Sequence, residues 1–316
     1  MKKLAVVALG GNALLMAGQK GTIDEQEENV YNTCKHILEL IKQDYNLVIT
    51  HGNGPQVGNI LLQNNAGAQV YGIPEMPLDI CGAYSQGFIG YMIEQQLRNV
   101  LEEVKIDRDI ITLVTQVLVD KDDPAFKNPT KPIGPYYSIE QVEEFKKANP
   151  EAVYKEDPKR GGWRKLVASP KPFRIGNRKS IESLARNGQI VIAVGGGGIP
   201  VFYVKPNKLQ GIDAVIDKDL ASSLLAHQIG ADEFYVLTDV PKVCLNFNTP
   251  QERTLDRITV AEAKKFLLDG EFGEGSMAPK IKAAREFIKG GGKQSIITTA
   301  SELGKENSGT RIVLNK

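Results

Sequence analysis

Cysteine and histidine are scarce in this sequence, three of each among 316 residues. Cys34, Cys81 and Cys244 are far apart, odd in number and never in a Cys-x-x-Cys pair. That pattern argues against a disulfide framework or a thiolate zinc site and fits a reducing cytoplasm. His36, His51 and His227 form no His-Glu-x-x-His pair, so no metal ligands are expected from the chain itself. His36 and His227 fall in helical patterns and read as structural, whereas His51 stands beside a glycine-rich loop. Net charge is nearly absent as well: 39 Lys plus Arg face 38 Asp plus Glu, leaving a formal +1. Such a balance offers no general field for nucleic acid or anionic lipid, so any anion must be held locally. Long apolar runs are missing too, and with them any expected membrane span. The apolar stretch 4–9 after Lys2-Lys3 is short for a signal peptide and runs straight into Gly10-Gly11, so it reads as a first buried strand. Two nucleotide signatures also fail. Gly292-Lys293 is followed by Gln294, which breaks a Walker-type loop, and Gly195–Gly198 runs into Ile199-Pro200 without completing Gly-x-Gly-x-x-Gly. Ser85 lacks the preceding glycine of a nucleophile elbow.

What is present is a rhythm. Apolar, β-branched runs at 4–9, 47–50, 110–119, 190–194, 234–238, 296–298 and 312–314 have the length of strands buried on both faces. Helical patterns lie between most of them. Val30, Cys34, Ile37, Leu38 and Ile41 recur at helical spacing after the acidic opening Asp24-Glu25-Gln26-Glu27, and 220–225, 259–268 and 281–288 repeat the arrangement. Alternating strands and helices need right-handed crossovers, which predicts an α/β fold: a three-layer αβα sandwich with a mainly parallel central sheet of about eight strands. Ligands in such sheets collect beyond the carboxyl ends of the strands. Residues 120–172 break the rhythm, being polar and proline-rich, with Pro124 to Pro172 and one helical stretch at 137–147. A segment of that length is expected to form a small protruding lid subdomain rather than a plain surface excursion.

Three predicted strands end in glycine clusters: Gly10-Gly11-Asn12, Gly52-Asn53-Gly54 and Gly195-Gly196-Gly197-Gly198. Each alone is commonly a tight turn. Together, at the carboxyl ends of one sheet, they point to a shared anion site built from backbone N–H groups. If both reactants are anions, no base is needed; positive charge must instead surround a moving phosphoryl group. Lysines in glycine-rich or proline-fixed surroundings are therefore the candidates. Asp217-Lys218-Asp219 opens a helical pattern, and is either an oriented ammonium between carboxylates or a solvated acidic helix start. Lys280 ends the loop that begins at Gly273 and includes Glu274, where it opposes a helix dipole unless a polyphosphate binds there. Lys131 lies between Pro129 and Pro132 in the lid and by itself reads as an ordinary exposed lysine.

Jointly these stretches resemble the carbamate kinases of the amino-acid kinase superfamily, over essentially the whole chain. The resemblance rests on Ala8-Leu9-Gly10-Gly11-Asn12-Ala13-Leu14, His51-Gly52-Asn53-Gly54-Pro55-Gln56-Val57-Gly58, residues 129–137, Ser169-Pro170-Lys171-Pro172, the tetraglycine with Pro200, Ala214-Val215-Ile216-Asp217-Lys218-Asp219, and Gly275-Ser276-Met277-Ala278-Pro279-Lys280. It implies a single domain whose amino-terminal lobe, 1–208 including the 120–172 lid, takes carbamate or carbamoyl phosphate, and whose carboxyl-terminal lobe, 209–316, takes ATP or ADP. The implied reaction is reversible transfer between ATP plus carbamate and ADP plus carbamoyl phosphate, running toward ATP as in arginine fermentation, in a cytoplasmic homodimer. Magnesium would be held mainly by the nucleotide phosphates. Lys131, Lys218, Asp219 and Lys280 would be catalytic, and Gly10, Gly11, Asn12, Gly52, Asn53 and Gly54 would grip the acyl phosphate. Gly196, Gly197, Asp217, Thr238, Asp239, Val240, Met277, Ala278 and Pro279 would face the nucleotide. Many relatives in the superfamily carry a lysine where this chain has Ala8, and by the same resemblance Lys131 of the lid supplies that cation. A kinase of this fold that makes carbamoyl phosphate for biosynthesis, or one that acts on another small carboxylate, remains open at this point. A silent nucleotide-binding regulator is opposed by the retained lysines.

Overall fold

The run Leu4–Leu9 forms β1 with every residue buried, as a strand covered on both faces requires. It sits inside an eight-stranded sheet with β2 (Asn46–His51), β3 (Ile110–Thr112), β4 (Ile190–Ile192), β5 (Glu233–Leu237), β6 (Arg257–Thr259), β7 (Gln294–Thr298) and β8 (Thr310–Val313). The spatial order is β6-β8-β7-β5-β1-β2-β4-β3. Among the described residues every pairing in this sheet is parallel except that of β7 with β8. The computed structural model describes residues 2–16, 18–157, 161–273 and 275–315. Pro158 of the proline-rich segment and Glu274 of the loop before Lys280 lie outside the described residues.

Side-chain alternation builds the three layers. Leu4, Val6 and Ala8 join one core with helices α5 (Arg178–Arg186), α6 (Lys218–Gln228), α7 (Val260–Leu268) and α8 (Met277–Lys289). Ala5, Val7 and Leu9 join the other with α1 (Ile23–Lys42) and α3 (Leu78–Glu103). Between these last two runs α2 (Gly54–Tyr71), and the lid carries α4 (Ile139–Ala148). The acidic opening of α1 has a second use: Glu25 closes a capping box with Thr22, so two otherwise orphaned N–H groups are satisfied. No helix among the described residues is long and apolar enough to cross a membrane.

Three expectations need correction. The run 110–119 is not one strand, because β3 ends at Thr112 and Gln116–Val119 belongs to a separate four-stranded sheet with Pro172–Ile175, Ile199–Lys205 and Lys208–Gly211. Its backbone is diverted at Thr115, whose N–H donates to Gln86 Oε1 at 2.7 Å and whose carbonyl accepts from Gln86 Nε2 at 3.2 Å. The lid is more than one helix in polar coil: Lys131–Tyr137, Trp163–Val167 and Val153–Glu156 pair as an antiparallel sheet. Its helix starts at Ile139 and not at Tyr137, since Ser138 and Gln141 form a capping box. Finally, α8 begins at Met277, so Lys280 lies within its first turn instead of ahead of it.

Candidate active site

A cleft of about 610 Å³ opens beyond the carboxyl ends of β1, β2, β5 and β7, where a parallel sheet is expected to collect ligands. Gly10-Gly11-Asn12 follow β1, Gly52-Asn53-Gly54 follow β2, and Thr238 and Asp239 follow β5; all line the cleft. Gly196 enters from the tetraglycine loop, Asp217, Lys218 and Asp219 from the start of α6, Pro279 and Lys280 from α8, and Lys131 from the lid. Gly197, Val240, Met277 and Ala278 are not on its wall. Met277 and Ala278 pack into the core beneath α8, and Gly197 is buried against the Ile216 carbonyl.

The three candidate lysines come from three separate segments and meet over two carboxylates. Lys131 Nζ donates to Asp217 Oδ2 at 2.7 Å. Lys218 Nζ donates to Asp219 Oδ1 at 2.5 Å, and Lys280 Nζ to Asp219 Oδ2 at 3.1 Å. Asp219 is buried, and burial alone would push its carboxyl up, but Lys218 and Lys280 together outweigh burial and hold it well below the usual carboxylate range. Lys218 is lowered too, for a different reason. Burial pushes its ammonium below the ordinary lysine value and Lys280 adds to the fall, while Asp219 opposes it. Asp217 caps α6, its Oδ1 accepting from the N–H groups of Asp219 at 3.0 Å and Leu220 at 3.2 Å. The choice left open by the sequence is thereby settled: the helix start is an internal cap and Lys218 is an oriented ammonium, its chain passing Gly52.

Around these groups lies a support that sequence reasoning missed. Ser222 Oγ donates to the Lys218 carbonyl at 2.6 Å and meets Thr50 Oγ1 at 2.6 Å, which ties the start of α6 to β2. Asn53 Nδ2 donates to Ser85 Oγ at 2.8 Å. Gly196, at φ 66°, rests on Asn53 so closely that an added Cβ would stand 2.2 Å from its amide nitrogen. Two requirements thus demand glycine there: a left-handed backbone and the space. Just before it, the β-branched Val194 is held at φ 54°, with its N–H donating to Thr115 Oγ1 at 3.1 Å. A branched residue in that region is strained, and such strain persists where the surroundings enforce it. His51 is buried against this loop; burial, together with the charge of Lys218, pushes its imidazole down to about 4, so it is neutral near pH 7 and an unsuitable proton carrier. Thr299, Ala300 and Ser301 complete the rim after β7, a position the strand-end rule could have flagged.

No cluster of three or more His, Cys, Asp or Glu side chains that could hold a metal occurs among the described residues. The carboxylates of Asp217 and Asp219 are already committed to lysines. The paired lysines therefore suit an anion in the cleft.

Comparison with known proteins agrees with this geometry. Residues 3–299 match the model of the amino acid kinase family. The chain is 50% identical over 297 residues to a carbamate kinase of Pyrococcus horikoshii, covering 94% of each chain. It is 47% identical to carbamate kinase 2 of Staphylococcus aureus, covering 99% of each. A solved carbamate kinase from Giardia lamblia bound to AMP-PNP superposes with a TM-score of 0.90 at 46% identity, again over 99% of both chains.

Proposed function

This chain belongs to the amino acid kinase family and within it to the carbamate kinases, and on that premise we propose how its cleft moves a phosphoryl group between ATP plus carbamate and ADP plus carbamoyl phosphate. One observation carries the mechanism: Lys131, Lys218 and Lys280 converge on one cleft from the lid, α6 and α8. A carbamate oxygen is already anionic. It attacks the γ-phosphorus without a base, the bond to the β,γ-bridging oxygen breaks, and ADP leaves with that electron pair. Charge on the transferred group is then met by the three ammonium groups, fixed beforehand by Asp217 and Asp219, so little reorganisation is left for the transition state.

The glycine loops at Gly10–Asn12 and Gly52–Gly54 receive the carbamoyl side. Asn53 supports this reading, since its side chain leaves the first turn of α2 uncapped and its N–H groups available to an anion. Thr238, Asp239 and Pro279 of 209–316 receive the nucleotide side, with Gly196 reaching across from 1–208, which otherwise acts as the acyl-phosphate lobe. Magnesium would be brought in by the nucleotide, since Asp217 and Asp219 are committed to lysines, and would add positive charge at its phosphates. A homodimer is supported by exposed apolar side chains at helical spacing on α3, Ile80, Tyr84 and Tyr91, and by others, Val70 and Tyr71, at the end of α2. Three unpaired cysteines support a reducing cytoplasm, and the proposed direction there is ATP formation in arginine fermentation.

The test is ATP formation from carbamoyl phosphate, magnesium and ADP, read by a coupled assay with acetyl phosphate in parallel. Fast turnover of the carbamoyl compound alone is the expected result. No ATP, or a preference for acetyl phosphate, overturns the assignment.

A further inference from the structure

Outside the active cleft the structure holds a second cavity, of about 230 Å³, between α2 and the lid. Its apolar walls include Leu61 and Leu62 of α2, Phe145 of α4, and Tyr137 and Tyr154 of the lid sheet. Tyr137, Phe145 and Tyr154 pack as a cluster, Tyr137 edge-on to both partners and Phe145 stacked with Tyr154 at 6.3 Å. An apolar cavity of about 150 Å³ is enough to take benzene, so this one has room for a ring and a small polar group.

The polar side chains on the wall are the amides of Asn65, Gln69 and Asn149, the hydroxyls of Tyr137 and Tyr154, and Lys165. Among the described residues Lys165 is the one charged side chain of the wall and makes no ion pair. It stands opposite Ile133 and Tyr154 in neighbouring strands of the lid sheet, so the three side chains share one face. A ring face and one cation without an opposing carboxylate fit a small aromatic carboxylate.

The position of the cavity matters as much as its chemistry. Ile133 lines both this cavity and the active cleft, and Lys131 lies two residues before it in the same strand. Between the two spaces the strand crosses α2 with backbone against backbone, since a Cβ on Gly58 would fall 1.9 Å from Gly134 Cα. From this we infer that the cavity is an effector site for a small aromatic carboxylate, which sets the seat of the lid strand and through it the reach of Lys131. The coupling to turnover rests on the carbamate kinase reading; the binding does not.

Titration calorimetry with phenylacetate, and with uncharged phenylacetamide as control, tests it in the presence of saturating magnesium ADP. Saturable phenylacetate binding is expected, weakened roughly tenfold for the amide and for Lys165→Met, the loss of one charge contact. Ala66→Phe, on the cavity wall of α2, should abolish it. Bound phenylacetate should change kcat for ATP formation with little change in the nucleotide KM, and should not do so in Ala66→Phe. Absence of binding at millimolar phenylacetate, binding retained by both variants, or loss of binding to magnesium ADP overturns the site. Binding without any change in kcat overturns the coupling and leaves the activity reading untouched.

Discussion

Asp219→Asn is the most informative single change, because one buried carboxylate neutralises two lysines. Its side chain is 5% exposed and those of Lys218 and Lys280 are 14% and 15% exposed, so solvent screens the pairs poorly. Removing one partner of a buried pair costs about 3–5 kcal/mol, and an amide that can still accept one hydrogen bond places the loss near the lower bound, ~3 kcal/mol. For a chain of this size, ~2 °C per kcal/mol converts that to a fall in Tm of roughly 6 °C. The uncompensated lysines should also favour any anion that enters. Magnesium ADP is therefore expected to raise the Tm of the variant by more than it raises that of the parent, while turnover drops by about 10² or more as the lysines lose their orientation. Differential scanning fluorimetry with and without nucleotide, paired with the coupled assay, measures all three. An unchanged Tm, or an equal deficit in both states, would refute the idea that Asp219 organises the charge of this cleft.

Lys131→Ala should lower kcat by about 10² or more with little change in nucleotide affinity, the pattern of a contact made in the transition state; equal turnover by steady-state assay would remove the lid from the chemistry. On the proposed mechanism Lys218 acts as an ammonium, and its pKa is depressed, so turnover should fall as pH rises through a value below the ordinary lysine pKa of 10.5. In Asp219→Asn that alkaline limb should move lower still, because the carboxylate that raises the Lys218 pKa is gone; a pH–rate profile with the limb unmoved counts against the pairing. His51 is neutral in the fold with a pKa near 4 against 6.5 for the free group, so its contribution is full above pH 6.5 and is lost as pH falls toward 4. Between pH 8 and pH 5 that amounts to about 2 kcal/mol, which urea unfolding should detect in the parent and should find abolished in His51→Asn.

How far the sequence foretold this molecule depends on where each residue's partners lie. Leu4–Leu9 was legible because a strand buried on both faces must be apolar throughout. The lid strand Lys131–Tyr137 was not: Pro132 and Pro135 resemble loop residues, yet Pro132 pairs with Leu166 on an edge strand and Pro135 sits where the register shifts between Ile133 and Tyr137, so fewer ladder donors are needed. The start of α8 was masked in the same way. Pro279 reads as a boundary, but proline is tolerated in a first turn whose N–H groups have no intrahelical partner, so the helix began before it. Within the cleft, the glycine loops were visible because they follow strands. Ser222, Thr50, Gln86 and Thr115 were invisible, since each is ordinary in its own segment and gains its role only from a partner far along the chain. Acidic Asp217 gave no sign of being both a helix cap and the seat of a lid lysine.

The same geometry explains why a cation should arrive from the lid at all. Ala8 is fully buried, in the core shared with Val194, Ile216 and Ala221 beneath α6, so the end of β1 presents a small apolar side chain inward and no cation. Charge missing from the sheet must come from an element that can approach over the open side of the cleft, and the strand carrying Lys131 is seated there by the contact of Gly134 with Gly58. Lys218 and Lys280 share Asp219, whereas Lys131 has Asp217 to itself. The lid cation can accordingly be displaced without unpairing the other two. On the proposed roles, changes at the lid should alter turnover with little effect on nucleotide binding, whereas changes around Asp219 should alter both.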